Sequence, residues 1–404
     1  MSLIQLEQPL PDVKLLKPST WPCLMLGFRP LFLLAGIWAV ISMLVWTLVL
    51  SGTIPWHLSV SPTLWHAHEM LFGFASAVAI GFLFTASQNW TGIPTLNGVG
   101  LLLLSCVWLA ARIVFLFADD AFIFLAGLQA AFWLIAICHL AQTLVQAKSR
   151  KNYQFVAILC VMASFNVLFI WLLENDDLAL AQIFSHLAIL GFTLLISVIA
   201  GRVMPFFIAR GLGLNEQMKT PRLDKLLFWS AIIGIIGFFS HHILSSPLNP
   251  GFILVFTAFL HVLRCMCWFN TRIFTRPLLW SLYLAYLCMA LGLLGFGGGY
   301  LGFPWYSKDA LHLITIGAMG LMILSIMARV SLGHTARPLQ PHPLMSLAFA
   351  LCVFAAITRS ILPIFINPHH SWLASALLWI GAFVIFVAVY TPILMKKRLD
   401  GRRG

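Results

Sequence analysis

"LWHAHEMLFGFASAVAIGFLF", residues 64–84, opens with two histidines and a glutamate and continues almost wholly apolar to Phe84. A run of about 20 apolar residues crosses a bilayer as a helix. Ionisable groups inside such a run are costly in lipid unless something pairs or binds them. The stretch therefore reads both as a membrane span and as a place where something holds His66, His68 and Glu69.

The rest of the chain repeats the first half of that statement. Of 404 residues, 61% are hydrophobic and 9% charged, against about 25% charged in a soluble domain. About twelve apolar runs are long enough to span, with approximate cores at 28–50, 66–87, 97–117, 121–147, 154–173, 178–201, 225–244, 251–270, 277–298, 308–331, 343–366 and 371–395. The pattern predicts an all-α integral membrane protein with one polytopic domain over 1–404. Residues 1–26 form a cytoplasmic N-terminal segment and 397–404 a basic cytoplasmic tail. No cleavable signal peptide is expected, because the first apolar run is long enough to span.

A net charge of +12 invites a nucleic-acid partner, but its distribution speaks against one. Lys148, Arg150 and Lys151 fall between helices 4 and 5; Arg202, Arg210, Lys219, Arg222 and Lys225 between 6 and 7. Arg264, Arg272 and Arg276 surround the 8–9 turn, Arg329 and Arg337 lie between 10 and 11, and Lys396, Lys397, Arg398, Arg402 and Arg403 end the chain. The alternate loops are nearly free of cations, and one carries Glu174, Asp176 and Asp177. This is the positive-inside pattern. It predicts both termini in the cytoplasm, even-numbered helices running from outside to inside, the lipid bilayer as partner and no nucleic acid. Eight scattered cysteines show no disulfide framework, and Cys265 with Cys267 is too small a set for zinc.

Three runs align on histidine: "HEMLFGFASAVAIGF" from His68, "HLAILGFTLLISVIAGR" from His186 and "HLITIGAMGLMILSIMAR" from His312. Each carries a glycine five residues on, at Gly73, Gly191 and Gly317. They occupy helices 2, 6 and 10, which suggests three four-helix units about a pseudo-threefold centre. His241 and His242, at the far end of helix 7, share the expected outer depth. Histidines gathered this way, with few carboxylates to pair them, point to metal or haem ligation. His66 and His68 lie about 200° apart around a helix and cannot face one point. His68, which carries the repeat, is taken inward. His66 faces an interface beside Trp65 or a second centre. Glu69 either holds a ligand imidazole, shuttles protons, or sits at a helix start for the dipole.

These residues resemble the NnrS family, haem- and copper-containing bacterial membrane proteins of nitric oxide metabolism. The matching segments are "GFRPLFLLAG" (27–36), "WHAHEMLFGF" (65–74), "NWTGIP" (89–94), "GRVMPFF" (201–207), "ALHLITIGAMGLMILSIMAR" (310–329) and "LGHTARPL" (332–339). The layout is also similar, more distantly, to the catalytic subunit of haem-copper oxidases. Those resemblances imply haem b with His68 and His312 as axial ligands, and copper at His186, His241 and His242. His66 would be needed only for a second haem. The tyrosine that the oxidases place four residues after the helix 6 histidine is Leu190 here, which weakens a dioxygen-reduction reading.

Arg112 and Arg359 lie near the outer ends of helices 3 and 11, against the positive-inside trend, where haem propionates would suit them. Asp119 and Asp120 offer Arg112 another partner. Glu69 is the candidate catalytic proton carrier. His139 and His261 are expected to pack, and His334 to cap a loop. The resemblance implies a bacterial inner-membrane protein that binds nitric oxide or another diatomic, takes electrons from a donor the sequence does not name, and contributes to nitrosative stress tolerance. It leans to an oxidoreductase; the alternatives are a non-catalytic haem protein or a transporter or sensor.

Overall fold

The structure is a computed structural model that describes residues 18–117, 119 and 121–402. The N-terminal segment before residue 18, Ala118, Asp120, and the tail residues Arg403 and Gly404 lie outside the described residues. Twelve helices are long and apolar enough to span: α1 Phe28–Leu50, α2 Pro62–Thr91, α3 Gly98–Phe117, α4 Phe122–Gln146, α5 Arg150–Glu174, α6 Leu178–Leu212, α7 Pro221–Ile243, α8 Gly251–Trp268, α9 Pro277–Gly299, α10 Ser307–His334, α11 Pro343–Ile364 and α12 Pro368–Met395. No strand occurs among the described residues. The chain is a multi-pass, all-helical membrane protein.

The boundaries follow local chemistry. Ser61 caps α2 by accepting from Leu64 N–H, with Pro62 in the first turn, where its missing N–H costs nothing. Gly92 ends that helix at φ +72°, a conformation only glycine adopts without strain. Helices α7, α9, α11 and α12 also begin on proline. α6 runs further than the hydropathy suggests, through Pro205 to Leu212, so Arg202 and Arg210 ride on a helix rather than in a loop.

Two spanning helices change pitch. In α2 the α-helical turn ends at His68 and a π-helical segment runs from Glu69 to Ala75. In α10 it ends at His312, and a π segment covers Leu313–Gly320. Two of the three aligned histidines thus stand immediately before a π segment, a rare distortion that clusters at functional positions. α6 is unbroken at His186.

The helices group into two compact units, where the repeat suggested three. One comprises residues 1–185, 327–342 and 383–404; the other comprises 186–326 and 343–382. The physical reason lies in the pairing of neighbours. In the first unit α2 packs on α1, α3 and α4, and α4 on α5; in the second α9 packs on α8, α10 and α11.

Chain ends in the first unit are fastened by arginine. Arg29 Nη1, buried at the start of α1, donates to the carbonyls of Leu394 at 2.9 Å and Lys396 at 2.7 Å, beyond the last full turn of α12. Arg398 donates to His334 O at 3.1 Å and pairs with Asp400 at 2.7 Å. That guanidinium holds the Asp400 carboxyl down at about 2, so the pair persists through ordinary acid conditions and is lost only as pH falls through that value. Arg29→Met strands two carbonyls at a helix end. It is expected to destabilise by about 1–3 kcal/mol and to expose the tail to limited proteolysis. An unchanged melting temperature and digestion pattern in detergent would remove the fastening role.

Candidate functional site

In the first unit the π segment of α2 places Glu69 under four hydrogen bonds. Oε1 accepts from His68 Nδ1 at 2.9 Å and Arg112 Nη1 at 3.0 Å. Oε2 accepts from Trp38 Nε1 at 2.6 Å and from the same Arg112 nitrogen at 3.0 Å. All three of His68, Glu69 and Arg112 are 0% exposed. A carboxylate offers about four acceptor positions, and here all are filled. Glu69 therefore does what a supporting carboxylate does: it fixes the imidazole tautomer and neutralises a buried cation. Asp119 does not compete for Arg112; it accepts from Ser59 N–H at 2.8 Å and Ser59 Oγ at 2.7 Å.

The other face of His68 is also occupied. Asn166 Nδ2 lies 2.9 Å from Nε2. The amide is oriented by Trp133 Nε1, which donates to Asn166 Oδ1 at 3.0 Å. Phe72, Phe115 and Phe169 surround the ring. His66, two residues earlier, stacks on Trp46 with centroids 4.7 Å apart.

The glycine of the repeat has a steric reason. A Cβ at Gly73 would stand 2.5 Å from Arg112 Nη1 and 3.0 Å from Glu69 Oε2. Trp108 Nε1 donates to the Gly73 carbonyl at 3.0 Å, a side-chain bond to the backbone of the π segment.

In the second unit a separate histidine cluster forms at the end of α7. His241 and His242 rings are 5.0 Å apart. His241 Nδ1 donates to Ser246 O at 3.1 Å, and His242 Nε2 meets the Tyr300 hydroxyl at 2.7 Å. Burial pushes the Tyr300 phenol to about 12, so it is protonated at neutral pH. His186 comes from α6 to the same aromatic pair, with its ring 6.3 Å from Phe238 and 6.0 Å from Phe296. His312 Nδ1 donates to Lys308 O at 2.6 Å. Arg359 pairs with Asp309 at 2.6 Å and lies over Trp372 at 4.9 Å.

Several functional-looking groups escape sequence reasoning. Tyr300, Asn166, Trp38 and Asp309 carry no motif of their own. Glu69 is not the sole carboxylate on a span, since Asp224 and Asp309 also sit on spanning helices, each paired to an arginine. His261, expected to pack, is buried but bonded through Nδ1 to Tyr286 OH at 2.5 Å. Arg264 donates to that same hydroxyl and to Asp224 at 2.8 Å, so it is a core ion-pair member rather than a turn cation. The His334 carbonyl accepts from Arg398, and its ring meets Asn89 at 3.5 Å. His139 keeps a buried ring nitrogen without a partner, as expected of packing.

Whether these residues suit a haem or copper ion depends on which nitrogens carry lone pairs. A ligating histidine ordinarily donates its other ring N–H to a carbonyl or carboxylate. His312 and His241 do so, towards Lys308 O and Ser246 O. His68 also does so, towards Glu69, but its remaining nitrogen meets the Asn166 amide. Among the described residues no three His, Cys, Asp or Glu side chains come close enough to hold a metal ion. In this arrangement, then, His68 does not fit an axial role and His186, His241 and His242 do not fit a three-coordinate copper site. No chemical step is derived through either group.

Taken together, the fold and these two clusters define a class: a polytopic helical membrane protein with ionisable, histidine-bearing sites buried inside its spans. The family model for NnrS protein matches residues 22–398. The chain belongs to the NnrS family. No curated protein matches it.

The first cluster makes two expectations. Glu69→Gln strips the anion from a fully buried arginine, which costs about 3–5 kcal/mol, and Glu69→Gln with Arg112→Gln recovers part of that loss. Gly73→Ala pushes its Cβ onto the guanidinium and costs about 1–3 kcal/mol. Thermal unfolding of the detergent-purified variants measures both. Wild-type melting in Glu69→Gln would show that the pair contributes nothing.

Proposed function

We propose that the protein serves nitric oxide tolerance in the bacterial inner membrane, binding nitric oxide within its helical core with the aid of haem b and copper. The observation that carries this is membership of the NnrS family along nearly the whole chain, together with that family's tie to nitric oxide. Nitric oxide is small and apolar and reaches such a core from lipid. The aromatic walls of Phe238 and Phe296 around His186, His242 and Tyr300 suit it. Tyr300 and the imidazoles are the polar groups there that can orient a bound diatomic or exchange a proton with it. Glu69, on this reading, positions His68 rather than carrying protons.

The test joins a spectrum to a phenotype. Protein expressed with ample haem and copper is purified, its iron and copper are measured, and its reduced-minus-oxidised spectrum is taken before and after nitric oxide. A strain lacking the gene is grown with a nitric oxide donor, with and without the gene restored. The expected result is a b-type signal that shifts with nitric oxide, copper alongside iron, and restored growth. His312→Ala is expected to lose the haem signal, since His312 Nδ1 donates to a carbonyl as a ligating histidine does. A colourless, metal-free protein whose loss leaves growth unchanged would end this proposal. Turnover is separated from binding by following nitric oxide loss at a micro-electrode with a reductant present.

A further inference from the structure

The guanidinium of Arg112 spends only one of its three nitrogens on Glu69. Nη1 makes both bonds to the carboxylate. Nε and Nη2 are buried and have no hydrogen-bond partner among the described residues, and the residue is 0% exposed. These two nitrogens share one edge of the planar group. Their N–H bonds run nearly parallel, which is the geometry that grips two oxygens of a planar anion at once. The guanidinium carbon lies over Trp108, 5.7 Å from the ring centroid, a cation–π contact that leaves the edge unused.

The contrast with other arginines in these units is informative. Arg264 sends donors to Asp224, Ser197 and Tyr286, and Arg359 has no unpartnered buried nitrogen. A buried donor without an acceptor is costly. Two adjacent ones on a rigid fork call for an acceptor that the described residues do not supply.

We infer that the Nε–Nη2 edge of Arg112 is a binding site for a planar two-oxygen anion, of the size of nitrite or a carboxylate group. Glu69 holds the opposite edge, and Gly73 leaves the room that lets the guanidinium sit there. Two sources offer this chemistry: a free oxyanion such as nitrite, the oxidation product of nitric oxide, and the propionate of a bound haem. The inference rests on the nitric oxide reading in the choice of nitrite as probe and, for the propionate source alone, in the haem.

The experiment uses the full-length protein in detergent. Sodium nitrite is titrated by equilibrium calorimetry into wild type and Arg112→Lys, before and after haem extraction, and haem retention is followed by absorbance. Lysine keeps a positive charge opposite Glu69 but has no paired edge, and a thermal melt checks that it folds. If the occupant is free oxyanion, wild type takes up one nitrite per chain and Arg112→Lys binds at least 10-fold more weakly. If it is a propionate, nitrite binds only after extraction, and Arg112→Lys releases haem faster than wild type. Should the lysine variant not fold, infrared difference spectra of wild type with 14N- and 15N-nitrite decide, since an anion gripped by both oxygens shows shifted N–O stretches. No bound nitrite in extracted wild type by either method, or binding and haem retention unchanged in a folded Arg112→Lys, would mean that the edge is met by water and would overturn the inference. Neither readout depends on nitric oxide tolerance or turnover, so the two proposals fail separately.

Discussion

A charge inside a membrane must be matched within the protein, and the Glu69–Arg112 pair shows how strictly this chain obeys that constraint. Moving one ion out of water costs several kcal/mol even after relaxation. The whole chain has only 12 acidic residues; Glu174 is the last residue of α5, and three others, Glu69, Asp224 and Asp309, lie within spanning helices. Each is matched to one arginine, at 3.0, 2.8 and 2.6 Å respectively. Each pair also joins two different helices: α2 to α3, α7 to α8, α10 to α11. Pairing therefore neutralises charge and fixes helix neighbours in the same stroke. Arg29 meets the constraint another way, spending its charge on carbonyl dipoles at a helix end.

Around Glu69 this neutralisation becomes geometry. With its acceptor positions filled, the carboxylate locks one tautomer of His68, and Trp133 and Asn166 lock the opposite face of the ring. The chain achieves this with indole N–H groups, which lose little conformational freedom on burial and present a single well-aimed donor. The cost is that the most conspicuous histidine in the sequence has both nitrogens engaged. At Tyr300 and His242 the arrangement is looser: one phenol, one imidazole and a half-buried edge. The second unit is thus the better place for chemistry that needs a proton or a vacant nitrogen.

The spans were legible because hydropathy is local and each run carries its own signal. "GVGLLLLSCVWLAARIVFLF" reads as a helix without reference to anything else. The importance of Glu69 and His68 was legible for the same reason, as polar groups in an apolar run. Their partners were not. Arg112 is 43 residues from Glu69, and Arg359 is 50 from Asp309. No periodicity connects residues on different helices, so Asp119, Asp120 and a haem propionate stood as the partners for Arg112, and Glu69 did not. Tyr286 and His261 escaped because tyrosine and histidine on an apolar helix face look the same whether they pack or bond. The π segments escaped too, since a change from four-residue to five-residue hydrogen bonding leaves no compositional trace.

The repeat motif itself shows why sequence similarity under-determines a site. His68 and His312 both precede a π segment, and each has a glycine five residues on. Yet the two glycines answer to different neighbours. At Gly73 an added Cβ would meet a guanidinium nitrogen and a carboxylate oxygen; at Gly317 it would meet Cys288 Cβ at 2.9 Å and Ala356 Cβ at 3.2 Å. The same backbone device, a wide helical turn with a glycine in it, admits a charged group in one unit and a close helix contact in the other. The acid has moved as well, from the residue after His68 to Asp309, three residues before His312 and one helical turn away. There it pairs with Arg359, and the His312 imidazole donates to the Lys308 carbonyl. A shift of one turn in one carboxylate is thus enough to separate ion pairing from histidine positioning. That separation leaves His312 with a carbonyl-set tautomer and His68 with an anion-set one, so equivalent places in a repeat become chemically distinct.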